Sequence, residues 1–183
     1  TLLLGEDPPT QFQFPAWSPD GRKFYYFRTT PGAPIRLRVH DLDTGRDREV
    51  LSRSANNMAP SPDGRYLVVR FSDPADGASV LAVVPSAGGE PRELLRVLPP
   101  GDLPPWSGLA WASDARHVFF ARRKDASAPA FELWRIPVEG GAARETGIAM
   151  EGLRDLRVHP AGRQVAFRAG RNQGEVWALE GFL

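Results

Sequence analysis

Three aspartates recur in one local setting: Asp20, Asp63 and Asp114 each stand two residues before an arginine, at Arg22, Arg65 and Arg116. Repeated carboxylates could hold a metal or trade protons. Catalytic groups are rarely copied into every repeat, whereas turn residues must be, so the series is read as turn chemistry. Ser18, Ser61 and Ser113 lie beside them. No Gly-x-Ser-x-Gly elbow is present to make one of them a nucleophile. The histidines, His40, His117 and His159, lack a ligand spacing such as His-x-x-x-His. His40 is expected on the polar face of an alternating strand and His159 in a turn, and all three as structural or solvated groups. No Gly-rich loop opens a helix to cradle phosphate. Arg154, Arg157, Arg163, Arg168 and Arg171 form a basic stretch that could meet an anion or nucleic acid. Glu145, Glu151 and Asp155 lie beside it and aromatics are not interleaved, so a solvated strand face is the better reading. Trp17 and Trp111 share one repeat position and read as filler between sheets rather than ligand-stacking rings. No catalytic residue, metal site or cofactor is expected.

The elements that carry these residues are repeats. Trp17-Ser18-Pro19-Asp20-Gly21-Arg22 leads into Phe24-Tyr25-Tyr26-Phe27, and Pro60-Ser61-Pro62-Asp63-Gly64-Arg65 leads into Tyr66-Leu67-Val68-Val69. Worn copies start at Trp111 and Val158. The arginines Arg22, Arg65, Arg116 and Arg163 are spaced by 43, 51 and 47 residues. A period of about 40–50 residues marks a stacked or radial repeat architecture. Pro-Asp-Gly is a turn in which glycine takes the left-handed conformation, so Gly21 and Gly64 are expected at positive φ. The apolar run after each arginine does not alternate, which fits a strand buried on both faces. Third strands are expected at Ile35–His40, Val80–Val84, Phe131–Ile136 and Val176–Leu179. Fourth strands are expected at Arg48–Leu51, Arg92–Leu95 and Ala143–Thr146. Each unit is then a four-stranded antiparallel sheet, and such sheets set radially make a β-propeller.

The SPDGR-plus-aromatic-strand unit resembles the WD40-like PD40 repeat of TolB-type β-propellers, and Asp41-Leu42-Asp43-Thr44-Gly45 matches the same pattern. The third unit has Ser113 and Ala115 for proline and glycine, and the fourth has Ala161 for aspartate. The resemblance implies the C-terminal propeller portion of a larger bacterial protein. It implies an all-β fold of four blades, approximately 11–53, 54–97, 107–147 and 152–183, with 1–4 as an outer closing strand. The blades would form half of a larger or dimeric eight-bladed ring, or a four-bladed ring. The resemblance also implies a non-enzymatic scaffold for protein or peptide partners. The alternative is the propeller portion of an enzyme, a prolyl-oligopeptidase-like peptidase or a sugar lyase, whose catalytic part lies elsewhere. A periplasmic or extracytoplasmic setting follows from the resemblance, with the cytoplasm left open.

Composition bounds the remaining choices. The 183 residues suit one domain, and 18 prolines with 18 glycines suit many short strands and tight turns. Twenty-three basic and 22 acidic residues leave a net charge of +1, with no field to steer nucleic acid or an anionic membrane. There is no cysteine, and no apolar run approaches a membrane span. Pro99–Trp106 is an insert between the second and third units. Long loops on rigid scaffolds often carry binding, so Asp102, Leu103 and Trp106 are expected to contact a partner. Removal of Pro99–Pro105 is expected to leave the fold intact. Gln13, Asn57, Arg154 and Asp155 precede the first strands of their units and are expected at one channel mouth. A homodimer completing an eight-bladed ring is a further expectation.

Overall fold

The computed structural model describes residue 5 and residues 8–105, 108–125 and 127–170. Among these residues there are fourteen strands and no helix. The first sheet is β1 (Gln11–Trp17), β2 (Lys23–Thr29), β3 (Arg36–Asp41) and β4 (Asp47–Leu51), in chain order and antiparallel. The second is β5 (Asn57–Pro60), β6 (Tyr66–Ser72), β7 (Ser79–Pro85) and β8 (Arg92–Val97). The third is β9 (Leu109–Trp111), β10 (His117–Arg122), β11 (Ala130–Pro137) and β12 (Arg144–Glu151). The strand pair β13 (Arg154–Val158) and β14 (Val165–Arg168) opens a fourth sheet. The strand expected at Val176–Leu179 and the closing strand at Thr1–Leu4 fall outside the described residues. β12 runs to Glu151, beyond the expected end at Thr146, because its register on β11 resumes after an irregularity at Glu132/Trp134.

The turns work as the residue types demand. The Ser18 hydroxyl donates to Asp20 Oδ1 at 2.6 Å and accepts the Lys23 N–H at 2.9 Å. The Arg22 N–H donates to the same Asp20 oxygen at 3.0 Å. Gly21 stands at φ 69° and Gly64 at φ 70°. In the third unit Asp114 still takes the Arg116 N–H, and in the fourth the His159 Nδ1 accepts the Ala161 N–H at 3.1 Å. His159 thus stands in for the serine–aspartate pair.

Sheets stack face to face, and the strand pattern shows why the apolar runs do not alternate. Tyr25, Phe27, Leu37 and Val39 of the first sheet pack on Leu67, Val69, Phe71 and Val80 of the second. The opposite face of the second sheet, with Val68, Leu81 and Val83, packs on Trp111, Val118, Phe120 and Ile136 of the third. The third sheet's other face, with Ala110, Ala121 and Leu133, covers Leu156, Val158, Val165 and Phe167 of the fourth. A central sheet is therefore apolar on both faces, as stacking requires. β1, β5, β9 and β13, the first strands of successive sheets, neighbour one another in turn and so line the common axis.

Candidate functional site

The expected rim residues lie on or next to the axis-facing strands. Counting three residues back from Trp17, Pro60, Trp111 and Val158 gives Phe14, Asn57, Gly108 and Asp155, one from each sheet. Three of these four are left-handed: Phe14 at φ 52°, Gly108 at φ 67° and Asp155 at φ 55°. A bulge accompanies the conformation in β1, between Gln13 and Ala16, and in β13, between Arg154 and Arg157. The bulge interrupts the pairing, which resumes at Ala16 in β1 and at Arg157 in β13. Gly108 is required by close approach as well, since a Cβ there would lie 2.7 Å from the Leu156 backbone nitrogen. The first strands of the third and fourth sheets meet at that point. Phe14 is exposed and sets its ring edge-on to buried Phe27 at 6.3 Å.

Of the expected rim residues, Gln13 is half-buried and its side-chain amide donates to Gln11 Oε1 at 3.0 Å. Asn57 is also half-buried and donates to the Pro105 carbonyl at 3.1 Å, tying the second sheet to the end of the insert. Arg154 is half-buried and Asp155 exposed. They lie on the inner strand of the fourth sheet. Sequence reasoning missed Phe14, whose signal is positional: it is the first-unit counterpart of Asn57 and Asp155.

The insert is where expectation and structure part. Leu103 is 2% exposed and belongs to the apolar seam between the second and third sheets. Asp102 is turned inward too, accepting from Ser79 Oγ at 2.9 Å and Arg123 Nη2 at 2.9 Å, and standing 3.4 Å from Arg70 Nη2. The expectation of a surface loop is thus corrected at these two residues. The reason lies in β6: Arg70 interrupts an apolar strand on the face turned to the third sheet and is 5% exposed. A buried guanidinium needs acceptors and a counter-charge. The insert supplies both, the Leu103 carbonyl at 2.7 Å and the Asp102 carboxylate. Burial pushes the Asp102 carboxyl up, but the hydrogen bonds from Arg123 and Ser79 and the charges of Arg70 and Arg123 outweigh it and hold it below its ordinary value. Burial pulls the Arg70 guanidinium down, against the field of Asp102. Trp106 lies outside the described residues.

His40 is a structural histidine, 7% exposed, with its ring 5.2 Å from that of Phe24 in the first sheet. One further expectation is corrected: Trp17 is not filler between described sheets. Trp111 is, at 5% exposure and with its indole N–H donating to the Ala59 carbonyl at 2.9 Å, whereas Trp17 is 60% exposed. No described sheet covers the face on which Trp17 stands. Among the described residues no three His, Asp or Glu side chains gather as a metal set.

Antiparallel four-stranded sheets stacked face to face, with their first strands side by side along one axis, define a β-propeller. Among solved structures, TolB from Acinetobacter baumannii superposes with a TM-score of 0.68 at 18% identity, covering 94% of this chain and 40% of that one. The fold is that of a TolB-type propeller. An oligogalacturonate lyase in complex with manganese superposes with a TM-score of 0.72 at 12% identity, covering 93% of this chain and 50% of that one. The uncharacterized protein Atu1656 of Agrobacterium fabrum is 28% identical over 181 residues, which are 93% of this chain and 55% of the relative. The chain thus spans about half the length of this curated relative. No protein-family model matches.

Proposed function

We propose that the chain is a non-enzymatic propeller scaffold that binds a protein or peptide segment at the axis rim formed by Phe14, Gln13, Asn57, Arg154 and Asp155. One observation carries the reading. Two exposed side chains, Phe14 and Asp155, are held at the same inner-strand position in a left-handed backbone that L-residues adopt only at a cost. The rim therefore offers an aromatic ring, a carboxylate and a guanidinium on a rigid frame. These suit an extended segment with an apolar anchor and mixed charge. The likeness to TolB supports a scaffold role. Panning a random peptide library displayed on phage against the chain tests this. Enriched peptides should bind Phe14→Ala and Asp155→Asn about tenfold more weakly or worse. Asparagine tolerates the left-handed backbone, so the second variant removes charge and leaves shape. Failure to enrich any peptide, or peptides indifferent to both substitutions, would overturn the reading.

The likeness to the oligogalacturonate lyase supports a second reading, that the chain is the propeller part of an enzyme. Incubating it with oligogalacturonate and manganese and following the ultraviolet absorbance of unsaturated product separates the two. A scaffold gives no turnover.

A further inference from the structure

A carboxamide has two donors on its nitrogen and an acceptor on its oxygen, so the partner of one end decides what the other end shows. Asn57 donates through Nδ2 to the Pro105 carbonyl at 3.1 Å. That carbonyl is held in place because the insert is pinned just before it. Arg70 donates to the Leu103 carbonyl at 2.7 Å, and Asp102 accepts from Ser79 and Arg123, both at 2.9 Å. A turned amide would set two oxygens against each other, so Asn57 shows Oδ1, which accepts from no described residue. Gln13 is set the same way, with Nε2 on Gln11 Oε1 at 3.0 Å. Asn56, next to Asn57, has its Oδ1 buried with no partner among the described residues. By alternation from Met58 it lies on the side of the first–second seam, where the Phe14 ring stands 6.3 Å from Phe27.

The charges at the rim fall the same way. The Asp155 carboxylate is exposed, and no described residue pairs with it. Arg154 is half-buried and has a partner within the chain. Gly108, the third-sheet counterpart of Asn57 and Asp155, brings no side chain. The free groups of the rim are thus amide oxygens, one carboxylate and the Phe14 ring, and each attracts a positively charged donor. One carboxylate is a poor cage for a divalent metal ion, and an aromatic ring suits an organic cation. We propose that the segment held at the rim enters with a basic side chain, a lysine ammonium or an arginine guanidinium, recognised by Asn57 Oδ1 and the Asp155 carboxylate. The inference rests on the rim reading and narrows its mixed-charge segment to a basic one.

The probe is the set of peptides enriched against the chain from the random phage library, remade with each lysine replaced by norleucine and each arginine by citrulline, one at a time. Fluorescence anisotropy of labelled copies measures their affinities for the parent chain, for Asp155→Asn and for Asn57→Ala. The expected result is one basic residue whose neutral replacement weakens binding about tenfold or more. Asp155→Asn should weaken the basic peptide and leave its neutral copy unchanged, so the ratio between the two falls toward one. Asn57→Ala should lower that ratio too. A purely structural role would weaken both copies alike, and that result overturns the proposal. Rim-dependent peptides in which no basic residue matters overturn it as well, and leave the rim reading standing. Failure to enrich any peptide, or peptides indifferent to Phe14→Ala and Asp155→Asn, overturns the rim reading and this inference with it.

Discussion

Asp102→Ala is the perturbation that most directly tests how the insert is held. In the folded chain Asp102 is the acid that faces Arg70, whose side chain is 6% exposed. Removing one partner of a buried ion pair costs roughly 3–5 kcal/mol, most of it the penalty of the charge left behind. Two features lower that figure here. The Asp102 side chain keeps 22% exposure, and Arg70 keeps the Leu103 carbonyl at 2.7 Å and the Ser79 hydroxyl at 2.9 Å as neutral acceptors. A loss of about 2–3 kcal/mol is the expected outcome. Urea unfolding followed by tryptophan fluorescence measures it, with an unchanged m-value showing that only stability moved. Arg70→Met removes the buried charge, so Arg70→Met/Asp102→Ala should recover part of the loss, with a coupling of at least about 1 kcal/mol. A loss below about 0.5 kcal/mol for Asp102→Ala, or plain additivity in the double variant, would refute the reasoning. The outcome also bears on deletion of Pro99–Pro105. With Leu103 in the seam and Asp102 on Arg70, that deletion should destabilise the fold rather than leave it intact.

The other expectations concern one turn and one titration. Gly21→Val forces a β-branched residue to φ 69° where nothing lies within 4 Å of the new Cβ, so the cost is conformational, about 1–2 kcal/mol, and shows as a lowered melting temperature. Because the Asp102 carboxyl is held below its ordinary 3.8, its contribution is fully present above that value and is lost as pH falls through the lower folded value. Acid titration of stability should therefore show a component below about pH 4 that is missing in Asp102→Asn.

The repeat frame was legible because its residues act locally. Ser18, Asp20 and Gly21 satisfy one another within a single turn, so their types alone announce the geometry. The doubly buried second strands were legible for a different reason: Tyr66–Phe71 lacks the alternation that a solvated face would impose. What could not be read depends on neighbours far along the chain. Arg70 sits two residues past Val68 on the same face, and only a folded seam reveals that Asp102 reaches it across 32 positions. The charge inside an apolar strand was the signal, and the lone acid of the insert was its answer. Trp17 and Trp111 have the same local sequence context, yet one is buried and the other exposed, because a described sheet packs on the face of Trp111 and none on that of Trp17. His40 was placed on a polar face by alternation with Leu37 and Val39, and the ring of Phe24 made that face a second apolar contact instead.

The rim poses a sharper question of residue choice. This chain puts glycine at three of its left-handed repeat turns, Gly21, Gly64 and Gly162, with φ near 70° in each, and alanine at the other, Ala115 at φ 56°. The third sheet does the same on the inner strand, where Gly108 is demanded by the backbone of Leu156. At the matching position the first sheet has Phe14 and the fourth has Asp155, both left-handed and both with side chains in solvent. Phe14 sets its ring 6.3 Å from buried Phe27 and is 49% exposed. Glycine would relieve the backbone at either place, as it does at Gly108. A left-handed side chain at an exposed inner-strand position motivates the proposal that it acts outside the fold. Phe14 and Asp155, rather than the inward-turned Asp102 and Leu103, are therefore the side chains proposed to meet another molecule.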